Sequence, residues 1–457
     1  MRQTSGDRFV LSEEGHLDAA LQDAASSGFR VILLRLLAYG VGFFASVAIS
    51  RALGPEGRGL YAFPGAVLGI AVTLSHLGLH QGNVFLATRG VSIDVLWRNA
   101  TVVAFGISGL VWIVLGTIFL AVGPTVGGLP LIWFAVPLLQ IPFLLQTIYW
   151  TNLLQLKGQV TGAAMAAFGG AAVHAILVLI LFVSDDLTPF RVLVLTWAAN
   201  GTTWLLVLVL GRRGGVMVGV GLDRSLMWQA LRFGLKTYLG AILFLLLLRA
   251  DELLVRGLVG YRALGLYSLA VTLAELLWLL TDPLAAALLR HQVLAMQGDE
   301  RRLGYAMARL SFLVAFLGGT IAWISAPYLI GLIYGEVFAE ATWLFRFLIP
   351  GIVAIAIQRP LAAIVVKDGR PWTITSIAGA VFLLNLVLNL ALLPMVGVMA
   401  ASVASSLCYL LLCLAYVIAT QRKGVVDWHD LIPRTSDVRL LVRALVPSPN
   451  SSVRGSR

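Results

Sequence analysis

The sequence predicts an all-α polytopic membrane protein, about twelve transmembrane helices in two pseudo-symmetric six-helix lobes. Three observations carry that prediction. Of 457 residues, 59% are apolar and 12% charged, with a mean hydropathy of +0.91; the charged share is about half that of an ordinary soluble domain. No Asp, Glu, Lys or Arg occurs between Arg98 and Lys157 or between Arg370 and Arg422, runs that each exceed two membrane crossings. Finally, two short patterns recur about half the chain apart. No water-soluble fold of this size hides so much apolar surface, so soluble enzyme classes are excluded.

The elements follow in order. Residues 1–28 carry Asp7, Glu13, Glu14, Asp18 and Asp23 and lack an apolar core with a small-residue cleavage site, so they read as a cytoplasmic extension rather than a secretory signal. An N-lobe over 29–211 holds apolar windows at 30–50, 60–80, 99–122, 131–155, 160–183 and 190–210. Gly123, Pro124, Gly127, Gly128 and Pro130 break the third window from the fourth. A basic stretch at 212–234, with Arg212, Arg213, Arg224 and Arg232, is the cytoplasmic linker between lobes. The C-lobe over 235–420 holds windows at 235–256, 264–289, 305–326, 341–364, 372–393 and 396–420, the last two divided by Pro394 and Gly397. A basic cytoplasmic tail occupies 421–457.

An even number of crossings puts both termini on one side. With the N terminus inside, cytoplasmic segments hold 23 of the 33 Lys and Arg residues, against five (Arg51, Arg58, Arg191, Arg256 and Arg262) in the opposite loops. That asymmetry predicts cytoplasmic termini. The net charge of +11 thus belongs to topology and to anionic membrane lipids, not to nucleic acid. Cys408 and Cys413 share one apolar window, a spacing for neither a disulfide framework nor a metal. His76 and His80 share a face at i,i+4 but have no acidic or Cys neighbour, so they read as packing or polar lining, with no metal expected.

The echoes point to a duplication. Arg51 to Tyr61 follows the first helix as Arg256 to Tyr267 follows the seventh, with one inserted residue and with Tyr61 and Tyr267 offset by 206. Ile141-Pro142 precedes Lys157-Gly158 as Ile349-Pro350 precedes Lys367 to Gly369, offset by 208 to 211. Six helices per half give the repeats one orientation, related by an axis along the membrane normal; two such lobes enclose a cavity that rocking exposes to each side in turn.

Three stretches resemble the multidrug/oligosaccharidyl-lipid/polysaccharide (MOP) flippase superfamily, and within it the Wzx-like polysaccharide flippases. They are Leu53 to Ala62; Arg249 to Asp251 with Gly265 to Ala270; and Leu329 to Gly335 with Phe338 and Ala341. The resemblance implies the MOP flippase fold and transport of a lipid-linked oligosaccharide, typically on undecaprenyl pyrophosphate, from the cytoplasmic to the outer leaflet of the cell inner membrane through a cationic cavity. It also implies a substrate other than lipid II, because the peptidoglycan-precursor members have two further helices. The expected setting is polysaccharide biosynthesis, in company with other assembly proteins, by a monomer that needs no cofactor beyond a coupling ion, H+ or Na+.

Ionisable residues within spanning helices are costly and are the candidates for function. Arg35 in the first helix, Arg249 in the seventh and Arg359 in the tenth suit a pyrophosphate head, because guanidinium binds phosphate oxygens bidentately. For Arg35 the competing reading is snorkelling to the interface near Arg30. Arg249, Asp251, Glu252 and Arg256 read either as a salt-bridge ladder, Arg249 with Glu252 and Glu252 with Arg256, or as a phosphate contact beside coupling carboxylates. Glu275, mid-helix, is the leading acidic candidate for gating or coupling. Gln146 and Asn152 line the fourth helix as sugar contacts or as interhelical glue. No catalytic constellation appears, so no enzyme is expected. A cation-coupled multidrug exporter of the same superfamily stands second, disfavoured by the basic excess in helices one and ten; a membrane glycosyltransferase or polymerase stands third, lacking a catalytic loop.

Overall fold

The computed structural model describes residues 6–216, 221–281, 300–367, 370–421 and 428–432. These are almost entirely helical. In chain order the helices are α1 (Gly6–Ser75), α2 (Leu79–Ala87), α3 (Ile93–Val122), α4 (Ile132–Leu138), α5 (Ile141–Leu156), α6 (Val160–Val183), α7 (Pro189–Arg213), α8 (Arg224–Leu258), α9 (Tyr261–Leu276), α10 (Glu300–Tyr334), α11 (Ala341–Lys367), α12 (Pro371–Val396) and α13 (Met399–Gln421). Short 3-10 turns occupy Glu336–Phe338 and Trp428–Leu431. Among the described residues, ten stretches are long and apolar enough to cross a membrane. Helix α8 is long enough as well, with 35 residues, but carries Arg249, Asp251, Glu252 and Arg256 in its last third.

Where described, the apolar windows of the sequence lie on helices, and the ends differ where proline and glycine act otherwise than expected. The first window and most of the second form one element, α1, whose only non-helical residue is Gly54 at φ 64°; the second window's end passes through a turn into α2. Pro55 then opens the second half, where its missing N–H costs nothing. The helix also reaches back to Gly6, into the predicted extension. Helices α10 and α12 run through Pro327 and Pro394, because a membrane helix tolerates proline when its neighbours satisfy the freed backbone groups. Helix α12 stops at Gly397, φ 74°. The window at 131–155 is split at Leu139 and Gln140 into α4 and α5, and α8 starts at Arg224, inside the predicted linker. The far end of the eighth window and most of the tail lie outside the described residues.

Local signals account for the remaining boundaries. Ser92 caps α3 by accepting from the Asp94 N–H at 3.3 Å, and Thr188 caps α7 by accepting from the Arg191 N–H at 3.3 Å. Gly127 and Gly128, both at positive φ, form the turn of a two-residue hairpin, Thr125–Val126 against Leu129–Pro130.

Two compact units result. The first gathers Met1–Ala52 and Leu74–Leu235, the second Leu53–Thr73 and Lys236–Arg457. Thus the second half of α1 belongs with the C-terminal half of the chain, and the start of α8 with the N-terminal half. In the first unit an aromatic stack of Trp97, Trp150 and Trp204 joins α3, α5 and α7, with ring centroids 4.6 and 6.1 Å apart. In the second, Gly351 of α11 packs on Ser406 of α13 and donates its N–H to the Ser406 hydroxyl at 2.8 Å. Large apolar side chains remain on the outside: Phe44 is 65% exposed, Leu332 75% and Val183 84%. Such a surface belongs in lipid. The chain is a multi-pass membrane protein.

Candidate functional site

The second unit brings together a cluster of ionisable side chains at the end of α8. Arg249 is the hub. Its guanidinium bonds Glu252 Oε1 at 3.1 Å, one turn along α8, and Glu275 Oε1 at 2.9 Å across on α9. The planar fork of arginine allows one side chain to hold two carboxylates from two helices. The i,i+3 pairing expected of Arg249 and Glu252 is therefore present. Arg256, the other rung of the expected ladder, lies over the rings of Tyr261 and Phe63 at 4.7 and 5.2 Å.

Asp251 points the other way, as helical geometry requires of a neighbour of Glu252. It is 1% exposed. Its carboxylate accepts from the Tyr267 hydroxyl of α9, from the Ser405 hydroxyl of α13 at 2.9 Å and from the Glu252 N–H at 2.9 Å. The polar network continues: Asn385 of α12 donates to Ser405 Oγ at 3.3 Å, and Asn389 donates to Asn385 Oδ1 at 3.1 Å. Asn389 Oδ1 and Ser402 Oγ are buried without a hydrogen-bond partner on the same two helices, α12 and α13. A burial of this kind is tolerated only where polar groups answer one another or a cation.

Glu275 also borders a small recess lined by Trp278, Tyr409, Leu348 and Ile352. Arg359 of α11 stands over the Trp278 ring at 4.8 Å and within electrostatic reach of Glu275. Arg249, Asp251, Glu252, Glu275 and Arg359 thus form one neighbourhood within the second unit.

The remaining predicted residues belong to the first unit. Arg35 is exposed on α1. Gln146 is buried and accepts from Trp204 Nε1 at 2.6 Å, while the Asn152 amide donates to the Ile148 carbonyl of its own helix at 2.9 Å. Both amides carry interhelical or intrahelical bonds here. His76 and His80 lie ring to ring at 4.3 Å, and Tyr149 donates to the His76 carbonyl at 3.0 Å. Among the described residues no group of three metal-ligating side chains gathers.

One residue needs correction. Arg58, counted among the outer-loop charges, sits in α1 and is 3% exposed. It donates to Ser268 Oγ and Thr272 Oγ1, both at 3.1 Å. Tyr267, Ser405, Asn385 and Asn389 also escaped the sequence reading as site residues. Tyr267 alone left a trace, as the last residue of the repeat.

Comparison with known proteins bears on the family and the fold. The sequence matches the polysaccharide biosynthesis protein family over residues 48–342. No curated protein matches. Among solved structures, the lipid II flippase MurJ in an inward closed conformation superposes with a TM-score of 0.70 at 10% identity, covering 91% of this chain and 90% of that one. An inward-facing multidrug resistance MATE family transporter of the MOP superfamily gives 0.66 at 13% identity, covering 86% and 98%. A MOP superfamily transporter from Pyrococcus furiosus, for which a binding pocket of reverse polarity suggests a different function, gives 0.61 at 13%, covering 87% and 95%. At these identities the likeness speaks for the fold. The chain belongs to the polysaccharide biosynthesis protein family and has the fold of the MOP flippase superfamily.

Proposed function

We propose that this protein is an alternating-access flippase that moves a polyprenyl-pyrophosphate-linked oligosaccharide from the cytoplasmic to the outer leaflet of the cell inner membrane, with both termini cytoplasmic, without catalysing a reaction. The observation that carries the reading is Arg249, held between Glu252 and Glu275 on two helices. A guanidinium kept ready by carboxylates can exchange them for a pyrophosphate of higher charge. The freed carboxylates then take up H+ or Na+, which ties cargo binding to a coupling ion. Asp251, buried and accepting from the Tyr267 and Ser405 hydroxyls, is a further carboxylate that a coupling ion can reach once those bonds exchange. Arg359 adds positive charge within electrostatic reach of Glu275, and Arg35, exposed on α1, supplies a further guanidinium for the anionic head. Gln146 and Asn152 enter as sugar contacts only by exchanging the bonds they now make.

A cation-coupled multidrug exporter is the second reading, favoured by three carboxylates against two arginines in the cluster. The polysaccharide family match weighs for the glycan. The test is reconstitution in sealed vesicles, following leaflet exposure of a lipid-pyrophosphate oligosaccharide beside uptake of a cationic dye. The expected result is glycan movement that falls by at least about tenfold when Arg35→Ala and Arg249→Ala are combined, two lost charge-assisted contacts being worth more than 1.4 kcal/mol. Unchanged movement in the double variant would sink the phosphate assignment. Dye uptake without glycan movement would move the protein to the exporter class.

A further inference from the structure

An apolar cleft of about 540 Å³ runs between α10, α11 and α13 in the second unit. Its wall on α10 extends from Phe312 to Trp323, with the lining residues spaced so that one face of the helix supplies them all. At 1.5 Å per residue that wall is about 16 Å long, half the hydrocarbon thickness of a bilayer and so the reach of a lipid chain in one leaflet. Small buried residues, Gly319, Ala354 and Cys413, make its floor. A Cβ on Gly319 would stand 3.0 Å from Ile349 Cγ2 and 3.2 Å from Val353 Cγ2, so α10 and α11 close tightly at the base. The lining's hydroxyl, on Thr320, donates to the Phe316 carbonyl of its own helix at 2.8 Å. What remains is a trough for hydrocarbon, with little to offer a sugar.

One end of the trough carries a charge. Arg346 of α11 lies over the Trp323 ring at 4.3 Å and the Trp343 ring at 5.1 Å, and its Nε donates to the Trp323 carbonyl at 2.9 Å. Trp323 is thus both a wall of the cleft and a platform for the guanidinium. Among the described residues no carboxylate pairs with Arg346; Glu340, the acid nearest before it in the chain, is paired with Arg262 at 3.0 Å. Arg346 is half-buried and lies five residues inside the apolar stretch Ala341–Val365, where a guanidinium is costly unless water or a counter-charge meets it. Its terminal nitrogens are left to bind phosphate oxygens, and tryptophans flank it as they do at a membrane interface. A cation at the end of a hydrocarbon trough one leaflet long matches the outline of a lipid.

We propose that this cleft binds an anionic phospholipid of the surrounding bilayer, with the phosphate on Arg346 and one acyl chain along α10, as a resident lipid distinct from any lipid-linked cargo. Ordinary bilayer lipid would coat the same groove without regard to headgroup charge, so selectivity is what the experiment reads. The full chain is placed in nanodiscs of phosphatidylcholine containing a few per cent of phosphatidylglycerol with a diazirine near the end of one acyl chain, and crosslinked peptides are located by mass spectrometry after photolysis. Crosslinks are expected on the cleft-lining segments of α10 and α13, about fivefold more than from phosphatidylcholine carrying the same diazirine. Arg346→Gln is expected to bring the first probe down to the level of the second, while Arg346→Lys keeps most of the preference. Thr320→Trp fills the trough from an exposed position and is expected to abolish crosslinking there by both probes. Equal crosslinking by the two probes in the unaltered chain refutes the site, whether or not Arg346→Gln folds. So does a preference for phosphatidylglycerol that persists in Arg346→Gln, folded as judged by thermal unfolding. Undecaprenyl phosphate displacing the probe better than unlabelled phosphatidylglycerol at the same concentration would assign the cleft to a polyprenyl tail and overturn the phospholipid.

Discussion

Asp251 shows how a residue acquires a role from its surroundings. The sequence places it in a charged run on an apolar helix, where insertion cost alone marks it for function. Its partners come from α9 and α13, 16 and 154 residues away. Replacing Tyr267 by Phe removes one donor while keeping the ring, leaving a buried carboxylate less satisfied at a cost of about 1–3 kcal/mol. Thermal unfolding in detergent is expected to show a lower midpoint for Tyr267→Phe; an unchanged midpoint would mean that the hydroxyl does not support Asp251. Arg249 with Glu252 was legible because both lie one turn apart on a single helix, while Glu275 as its second partner was not. Arg58 was misread for a related reason, since a basic residue beside Gly54-Pro55 looks like loop until α9 is seen to shield it.

At the scale of the element, glycine and proline meant different things at different positions. Gly54 and Gly42 both have open space where a Cβ would go, yet only Gly54 has a positive φ, at 64°. With ψ at −177° an L-residue there pays about 1–3 kcal/mol in backbone strain. Gly54→Ala is therefore expected to lower stability by that amount, while Gly42→Ala, in ordinary helical conformation, leaves it unchanged or slightly raised. Equal unfolding midpoints for the two variants would contradict the bend. The same logic explains the boundaries: Gly397 ends α12, while Pro327 and Pro394 sit within helices. Proline lacks one N–H, and whether that ends a helix depends on what packs beside it, which no window of sequence contains.

The whole molecule follows from counts. An even number of crossings and 23 basic residues against five in the opposite loops, four once Arg58 is placed within α1, predict cytoplasmic termini on the positive-inside rule. Fusing a green fluorescent protein to one terminus and an alkaline phosphatase to the other, in turn, is expected to give fluorescence and no phosphatase activity at both ends. Phosphatase activity at either end would overturn the even count or the orientation. At this scale too the division into units was only partly legible. A linker at 212–234 separates the repeats in sequence, whereas the contacts assign Leu53–Thr73 to the second unit and the start of α8 to the first.

Composition, charge-free runs and the repeat offset determined by themselves that this chain lives in a membrane and that its helices fall in two related sets. They suffice because transfer into lipid is a sum over residues in a window, and duplication leaves its mark in residue order. Tertiary structure alone decided which charges meet: Arg249 between two carboxylates, Asp251 under Tyr267 and Ser405, and Arg58 along α9. Those pairings depend on helix rotation and crossing, set by close packing among residues far apart in the chain, and a one-residue turn of any helix moves its side chains by about 100°.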